Sequence, residues 1–210
     1  MRIVLFGATG STGKQLIQQA IAAGYHVVAY ARNPSKIDIK SEHLIIVKGD
    51  IADEEAIENA INGADAVISL LGPRGDSNNK PLTHGMQNII KAMMSRGVRR
   101  LVASSTLSLK DSEDKPSLKV NLLVSIVKTT MNAAYEDIIG TAEAVRGSDL
   151  DWTIIRVAML NDKPKTGVVK AGYVGTGQVG LGISRADFAD FMLKQVEDRE
   201  YLKKAPAISD

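Results

Sequence analysis

Three glycines surrounded by hydroxyl side chains form the first candidate for chemistry in this chain. Gly7, Gly10 and Gly13 fall in the segment FGATGSTG, after an apolar run and at the start of a helical pattern. They would permit a tight turn, a close approach of backbone to a ligand, and close packing of the helix. Hydroxyls that could donate to phosphate oxygens belong to Thr9, Ser11 and Thr12. With the free N–H groups of the first helical turn, they predict a site for the diphosphate of a dinucleotide rather than a plain turn.

Two cations follow the second apolar run, where many dinucleotide-binding chains carry an acid. That acid, about 20 residues beyond the glycines, binds the ribose 2′-hydroxyl of NAD, but residues 30–36 here read YARNPSK. Arg32 and Lys36 stand where the 2′-phosphate of NADP would lie, and Arg32 can form two hydrogen bonds to it and stack on adenine. These residues predict NADPH in preference to NADH; the alternative is a solvated surface arginine.

The next two apolar runs also end in residues suited to a ligand. Asp50 and Ile51 follow the third run, where the aspartate could accept from the adenine amino group, cap a helix, or do both. Leu71 and Gly72 end the fourth run, where a small residue lets a cofactor lie across the sheet edge.

Hydroxyl side chains end the fifth run. Because ligands of doubly wound sheets bind outside the carboxyl ends of the strands, Ser104, Ser105 and Thr106 are predicted to face the nicotinamide. Capping of a loop is the alternative for these hydroxyls. Arg74, in the loop after the fourth run, is a candidate contact to the diphosphate or to an anionic substrate such as a flavin phosphate, or else a solvated loop charge.

The elements that must hold these residues alternate between short apolar strands and amphipathic helices. Strand patterns cover residues 2–6, 26–31, 44–47, 64–71, 100–105 and 152–157. Helical patterns cover residues 11–23, 54–61 and 81–95, much of the chain after Pro116, and a segment opened by Ser184. This alternation predicts a single α/β domain over residues 1–210, with a doubly wound parallel sheet. The Gly- and Pro-rich segment 162–183 predicts a small C-terminal extension on the substrate side.

Composition excludes several other classes of protein. The 210 residues contain no cysteine, and the three histidines lack metal-ligand spacing, so disulfide scaffolds, thiol catalysis and metal enzymes are disfavoured. A net charge of +2 does not call for nucleic acid. Without a signal-peptide layout or an apolar run of about 18 residues, the sequence predicts a cytoplasmic protein that does not bind a membrane.

The segment 118–131 is apolar and has several interpretations. It could be a helix packed in the core, or a mobile lid that shields the hydride from water. Its apolar surface could also bury a dimer contact, so the chain is predicted to be a monomer or a homodimer.

Several of these motifs together resemble the atypical short-chain dehydrogenases/reductases, and most of all the biliverdin-IXβ reductase and flavin reductase group. The motifs are GATGSTG with Arg32, LLGPR at 70–74, SST at 104–106 and DWTIIR at 151–156, within a likeness over nearly the whole chain. The resemblance implies a single Rossmann domain that binds NADPH and reduces flavins (FMN or FAD) or linear tetrapyrroles. It implies cofactor or substrate contacts for the candidate residues named above from Gly7 to Thr106, apart from Ser105. Thr106 stands where the family has a serine near the nicotinamide.

Three departures from that family bear on the reaction. The Tyr-x-x-x-Lys pair of the wider superfamily is missing, because Tyr135 is followed by Ile139. Two histidines of the β-reductases align with Met159 and near Ile138. These gaps weigh more against tetrapyrrole reduction than against flavin reduction, which mainly needs two stacked rings. The sequence thus predicts NADPH-dependent reduction of a flavin or quinoid acceptor, with Ser105 and Thr106 at the reacting ring; a non-catalytic NADP(H) sensor is the alternative.

Overall fold

A twisted sheet of eight strands forms the centre of the molecule, for which a computed structural model describes residues 1–73 and 75–210. The strands of the whole structure are β1 Arg2–Phe6, β2 His26–Ala31, β3 Leu44–Lys48, β4 Ala66–Ser69, β5 Arg100–Thr106, β6 Asp151–Val157, β7 Met159–Asn161, β8 Lys170–Gly172, β9 Gly182–Ser184 and β10 Ala207–Ser209. The helices are α1 Ser11–Ala22, α2 Glu54–Ile61, α3 Pro81–Ser95, α4 Leu118–Thr130, α5 Asn132–Arg146 and α6 Arg185–Lys194.

The strand order confirms the predicted fold class. The large sheet runs β3-β2-β1-β4-β5-β6-β10-β8, and every pairing from β3 to β10 is parallel. The order reverses between β1 and β4, so the two halves of a doubly wound Rossmann sheet meet there. In the C-terminal extension β8 pairs antiparallel with β10, while β7 and β9 form a separate pair.

Burial on both faces explains why the strands are continuous apolar runs. Along β1, Val4 and Phe6 pack into the core on one face, while Ile3 and Leu5 pack into the core on the other. Successive side chains of a strand point to opposite faces, so two covered faces require apolar residues at every position. Helices α2, α3 and α5 contribute to the first core, and α1 and α6 to the second.

The buried carboxylate of Asp137 on α5 fixes the start of α3. It accepts hydrogen bonds from the N–H groups of Leu82 and Thr83, at 3.0 and 2.8 Å, and from the Thr83 hydroxyl at 2.8 Å. These are first-turn groups with no partner inside their own helix. Gly140 lets the two helices approach, because a Cβ there would lie 2.6 Å from the Thr83 hydroxyl oxygen. The cap holds Leu82 in place beside the carboxyl ends of the strands.

The structure corrects several predicted boundaries. Strand β4 covers Ala66–Ser69 and not 64–71, because the N–H of Ala64 still bonds to the carbonyl oxygen of Ile61 at the end of α2. Strand β10 was not predicted, since three residues carry too little pattern. The helical segment after Pro116 breaks at Met131 into α4 and α5.

The core interpretation of segment 118–131 is wrong. Val120 is the one buried residue of α4, whereas Leu118 and Leu122 are 90% and 65% exposed. The helix lies outside the sheet layers and packs mainly against the neighbouring α5. Within the described chain, no helix combines the length and the apolar character that crossing a membrane requires.

Candidate functional site

A groove crosses the carboxyl ends of the strands at the point where the strand order reverses. Its first half is a cavity of about 250 Å³ beside β1 and β2, and its second half is a cavity of about 190 Å³ beside β4, β5 and β6. The two halves share the walls formed by Leu70, Leu71, Gly72 and Leu82. Doubly wound sheets bind their ligands at this switch point.

The loop between β1 and α1 can be built only with glycine at two positions. Gly7 has φ +84°, and a Cβ there would lie 2.7 Å from the carbonyl carbon and oxygen of Leu70. A Cβ at Gly13 would overlap the carbonyl oxygen of Gly7 and lie 2.9 Å from the Ala8 backbone. Helix α1 follows Gly10 with no side-chain cap among the described residues. Its first-turn N–H groups and its positive dipole end are therefore available to an anion.

One of the two predicted cations lines the first cavity. Arg32 lines the cavity and is exposed, and its Nε lies 3.9 Å from Oδ2 of Asp50. Lys36 is exposed in a short turn of 3₁₀ helix at Pro34–Lys36. An exposed pair at that distance is weak, so Arg32 can turn to a phosphate at little cost.

Asp50 does not cap a helix, and that interpretation is wrong. Its Oδ1 accepts a hydrogen bond from the N–H of Ala52 at 3.0 Å, which closes a local turn. The N-cap of α2 is Asp53, whose carboxylate accepts from the N–H of Ala56 at 3.0 Å. Asp53 satisfies a first-turn donor that Asp50 lies too early in the chain to reach.

A contact between Tyr30 and Gly49 was missed from the sequence. The Tyr30 hydroxyl donates to the carbonyl oxygen of Asp50 at 2.8 Å, and any Cβ at Gly49 would overlap the phenol. Burial, with smaller contributions from the charges of Asp53 and Asp50, raises the pKa of Tyr30 to about 12. The phenol therefore stays protonated and remains a hydrogen-bond donor. Its bond to Asp50 fixes the turn that follows β3, which forms part of the wall of the first cavity. An aromatic residue two positions before Arg32 is the signal that could have pointed to this wall.

The second cavity contains a buried hydroxyl without a partner. Ser104, Ser105 and Thr106 all line it at the end of β5. The Thr106 hydroxyl oxygen accepts from the N–H of Ser108 at 3.2 Å, but the buried Ser105 Oγ finds no hydrogen-bond partner among the described residues. A buried unpaired hydroxyl is costly and uncommon, so this one is suited to a polar ligand group such as a carboxamide.

The remaining described walls of the second cavity are mostly apolar. They include Ile138, Val145, Val157, Leu160 and Phe188. No aspartate, glutamate, histidine, lysine, arginine or tyrosine is among the described lining residues. Side chains of the described walls can therefore orient a ring and exclude water, but they offer no group that titrates near neutral pH.

Two positions discussed for the reaction lie elsewhere. Tyr135 is one turn of α5 before Ile138 and lines a different cavity, where the Lys128 ammonium stands 5.5 Å from its ring centroid. The side chain of Met159 is 56% exposed. Neither residue lines the groove.

The other predicted site residues divide between the walls of the groove and its surroundings. Thr9 and Ile51 line the first cavity, and Thr12 lines the second. The walls of the groove do not include Gly10, Ser11, Gly13, Lys36 or Asp50. Arg74 lies outside the described residues. Across residues 1–73 and 75–210 there is no cluster of three side chains suited to a metal ion.

Comparison with known families identifies a match along most of the chain. The sequence model of a family described as NAD(P)H-binding matches residues 7–199. A Streptomyces griseus subsp. griseus protein named (4-alkanoyl-5-oxo-2,5-dihydrofuran-3-yl)methyl phosphate reductase is 24% identical over 205 residues, which are 98% of this chain and 62% of that protein. The chain thus spans less than two thirds of the length of the curated relatives it matches.

Two solved structures show the same fold. ChuY, an anaerobilin reductase from Escherichia coli O157:H7, has a TM-score of 0.79 at 20% identity over 100% of this chain and 97% of its own. A short-chain dehydrogenase/reductase from Veillonella parvula DSM 2008, solved in complex with NADP, has a TM-score of 0.77 at 19% identity over 100% and 94%.

Proposed function

The chain belongs to the NAD(P)H-binding family, which confirms the resemblance at that level, and from this premise we propose that it is an NADPH-dependent reductase of a flavin or a flavin-like quinoid acceptor. The observation that carries the proposal is the second cavity, where an unpartnered serine hydroxyl and apolar walls lie beside the glycine loop. That cavity suits a nicotinamide ring with an acceptor ring stacked on it. The reductases among the relatives and structural neighbours support the same reaction class.

The residues that would hold the cofactor are those of the groove. The backbone from Gly7 to Gly13 binds the diphosphate, and Arg32 with Lys36 binds the 2′-phosphate. Ser105, with Ser104 and Thr106, orients the nicotinamide side. The chemistry that the cofactor supplies when bound is a hydride, which brings two electrons and one proton to the acceptor. The apolar walls keep water away from the two rings.

The class of acceptor follows from the walls of the second cavity. Reduction of a simple ketone needs a proton donor at the carbonyl oxygen, and the described walls offer no acidic side chain for this step. When a flavin or a quinone accepts a hydride, it becomes an anion whose charge is delocalised over the ring system. This anion can then take a proton from water. The walls therefore favour a quinoid acceptor.

A steady-state assay tests the proposed function. NADPH oxidation is followed with FMN, riboflavin, dichloroindophenol or menadione as acceptor. We expect acceptor-dependent oxidation well above the rate in protein-free buffer for at least one of these compounds. If no acceptor is reduced above that background, the proposed function is wrong.

We expect the substitution Arg32→Ala to weaken the binding of NADPH much more than the binding of NADH. Loss of a two-pronged contact to a dianionic phosphate costs about 2 kcal/mol, or roughly thirtyfold in affinity. NADH lacks that phosphate and serves as the internal control, so its affinity is expected to change less than about threefold. Calorimetric titration with both cofactors measures the ratio, and an equal loss for both excludes the 2′-phosphate role.

We expect Ser105→Ala to slow hydride transfer without destabilising the protein. The Ser105 hydroxyl is buried and has no partner among the described residues, so its removal unpairs no described group and relieves the cost of an unpaired hydroxyl. We therefore expect the variant to be more stable than the wild type by about 1 kcal/mol. The rate is expected to fall about tenfold, because one orienting hydrogen bond is worth about 1.4 kcal/mol. Thermal unfolding and single-turnover oxidation of NADPH measure the two effects. A large stability loss with an unchanged rate contradicts the assigned role.

A non-catalytic NADP(H) sensor is the second candidate function. The observation that favours it is again the lack of ionisable side chains in the described walls of the second cavity. A sensor binds NADP⁺ and NADPH with different affinities and turns over none of the acceptors. Titration with the two redox forms, beside the acceptor assay, separates the two functions.

A further inference from the structure

A third cavity lies just beyond the end of β5 and is not part of the groove. It has a volume of about 500 Å³ and is enclosed by α4, by the start of α5 and by the loop that follows β5. Lys110, Lys115 and Lys128 line it, and the cavity is called the basic cavity below.

The basic cavity has an uncompensated positive charge. None of its three lysines forms an ion pair with a carboxylate of the described chain. Two acids in its wall are already engaged: Asp114 accepts two hydrogen bonds from buried Arg156, at 2.6 and 2.8 Å, and Asp111 lies 3.4 Å from Arg146. An anion that enters the cavity therefore meets unpaired ammonium groups. The charges of the two acids are already balanced by arginines, so they repel the anion little.

The same cavity offers apolar and aromatic surface. Leu107, Val120 and Val174 belong to a small buried apolar cluster, and all three line the cavity. The Tyr135 ring lies beneath the Lys128 ammonium at 5.5 Å from the ring centroid. Apolar walls with a few charged groups suit a ligand that is itself part apolar and part anionic.

The basic cavity lies next to the second half of the groove. Leu107 in its wall directly follows Thr106, which lines the groove. On α5, Tyr135 of the basic cavity stands one turn before Ile138 of the groove. The two cavities are therefore neighbours, as an acceptor with its ring in the groove and its side chain in the basic cavity would require.

We propose that the basic cavity binds the anionic group of the acceptor, so that the preferred acceptor is an amphiphile that joins a planar ring to a phosphate or carboxylate. This inference rests on the proposed reductase function, because it places the ring of the same acceptor in the groove. Lys115 and Lys128 bind the anion as point charges, and the apolar wall contacts the linking chain.

The test compares FMN with riboflavin, which share the isoalloxazine ring and differ in the terminal phosphate. Quenching of flavin fluorescence measures binding to the NADP⁺-loaded protein, and reduction by NADPH is followed separately. We expect FMN to bind about tenfold more tightly than riboflavin at low salt. This preference is expected to shrink towards 1 M salt, where the screening length falls to about 3 Å.

The variant Lys115→Ala/Lys128→Ala is expected to lose most of the preference for FMN while its affinity for riboflavin stays the same. The control Lys40→Ala/Lys194→Ala removes the same charge from exposed lysines near the amino ends of the strands and is expected to keep the preference. An equal loss for both flavins, an unchanged ratio, or no binding of either flavin overturns the inference. If the variant loses a preference for FMN although NADPH reduces none of the four acceptors named above, the basic cavity binds the anionic group of the bound flavin and the reductase function is wrong.

Discussion

Gly13→Ala is expected to abolish dinucleotide binding, with a loss of affinity of more than about a hundredfold. The added Cβ overlaps the carbonyl oxygen of Gly7 and lies 2.9 Å from the Ala8 backbone, so it meets backbone that cannot rotate away. The start of α1 must shift from the loop, and the N–H groups that would bind the diphosphate shift with it. Calorimetric titration with NADPH measures the loss, and circular dichroism shows whether the variant stays folded.

The control for this variant is Gly182→Ala. A Cβ at Gly182 would meet no described atom within 4 Å, and Gly182 is not among the positive-φ glycines. It tests the cost of an added methyl group without a clash at the loop. We expect wild-type affinity for NADPH in this control. If Gly13→Ala binds NADPH within about threefold of the wild type, the glycine loop is not the diphosphate site.

Asp114→Asn is expected to destabilise the protein by about 3 kcal/mol or more, because it leaves a buried guanidinium without its charged partner. Arg156 is fully buried and forms both of its carboxylate contacts with Asp114. The same carboxylate accepts from the N–H groups of Val174 and Asp111, at 3.0 and 2.8 Å. It thereby ties β6 to two surface segments that enclose the basic cavity. Denaturation in urea measures the change.

The control for the buried pair is an exposed one of the same chemistry. Asp162 is 82% exposed and lies 2.8 Å from Arg185. Because solvent screens such a pair, Asp162→Asn is expected to cost less than about 1 kcal/mol. Equal losses in the two variants contradict the role assigned to the buried pair.

The contribution of Asp114 also depends on pH in a defined direction. Burial alone would raise the pKa of Asp114, but the hydrogen bonds from Arg156 and from the N–H of Asp111, together with the Arg156 charge, hold it below its ordinary value. A carboxylate with a lowered folded-state pKa contributes stability above its unfolded pKa and loses it as the pH falls through the folded value. The stability difference between the wild type and Asp114→Asn is therefore expected to narrow below about pH 4.

Most of the central fold could be predicted because its signals are local. Runs of Ile and Val with amphipathic segments between them predict a covered parallel sheet, and β1 to β6 follow that pattern. The failures involve contacts between distant residues. Strand β10 forms because the C-terminal residues add to β6, and the cap of α3 comes from Asp137, 55 residues beyond Leu82. Neither neighbour is visible in a short stretch of sequence.

The groove divides in the same way. The spacing of Gly7 and Gly13 points to the loop that the structure shows. This is because the backbone atoms that require glycine at position 13 belong to the same seven-residue segment. The contact of Tyr30 with Gly49, the choice of Asp53 over Asp50 as helix cap, and the basic cavity all depend on where separate segments meet. Such contacts between distant segments follow from the tertiary fold rather than from the local sequence pattern.

Titration of the protein with NADPH in a calorimeter tests most directly whether the groove is a pyridine-dinucleotide site with Arg32 at the 2′-phosphate. We expect one molecule of NADPH bound per chain, with a dissociation constant below about 100 µM and weaker binding of NADH. Absence of saturable binding of NADPH up to millimolar concentration contradicts this expectation, whatever reaction the chain is later found to catalyse.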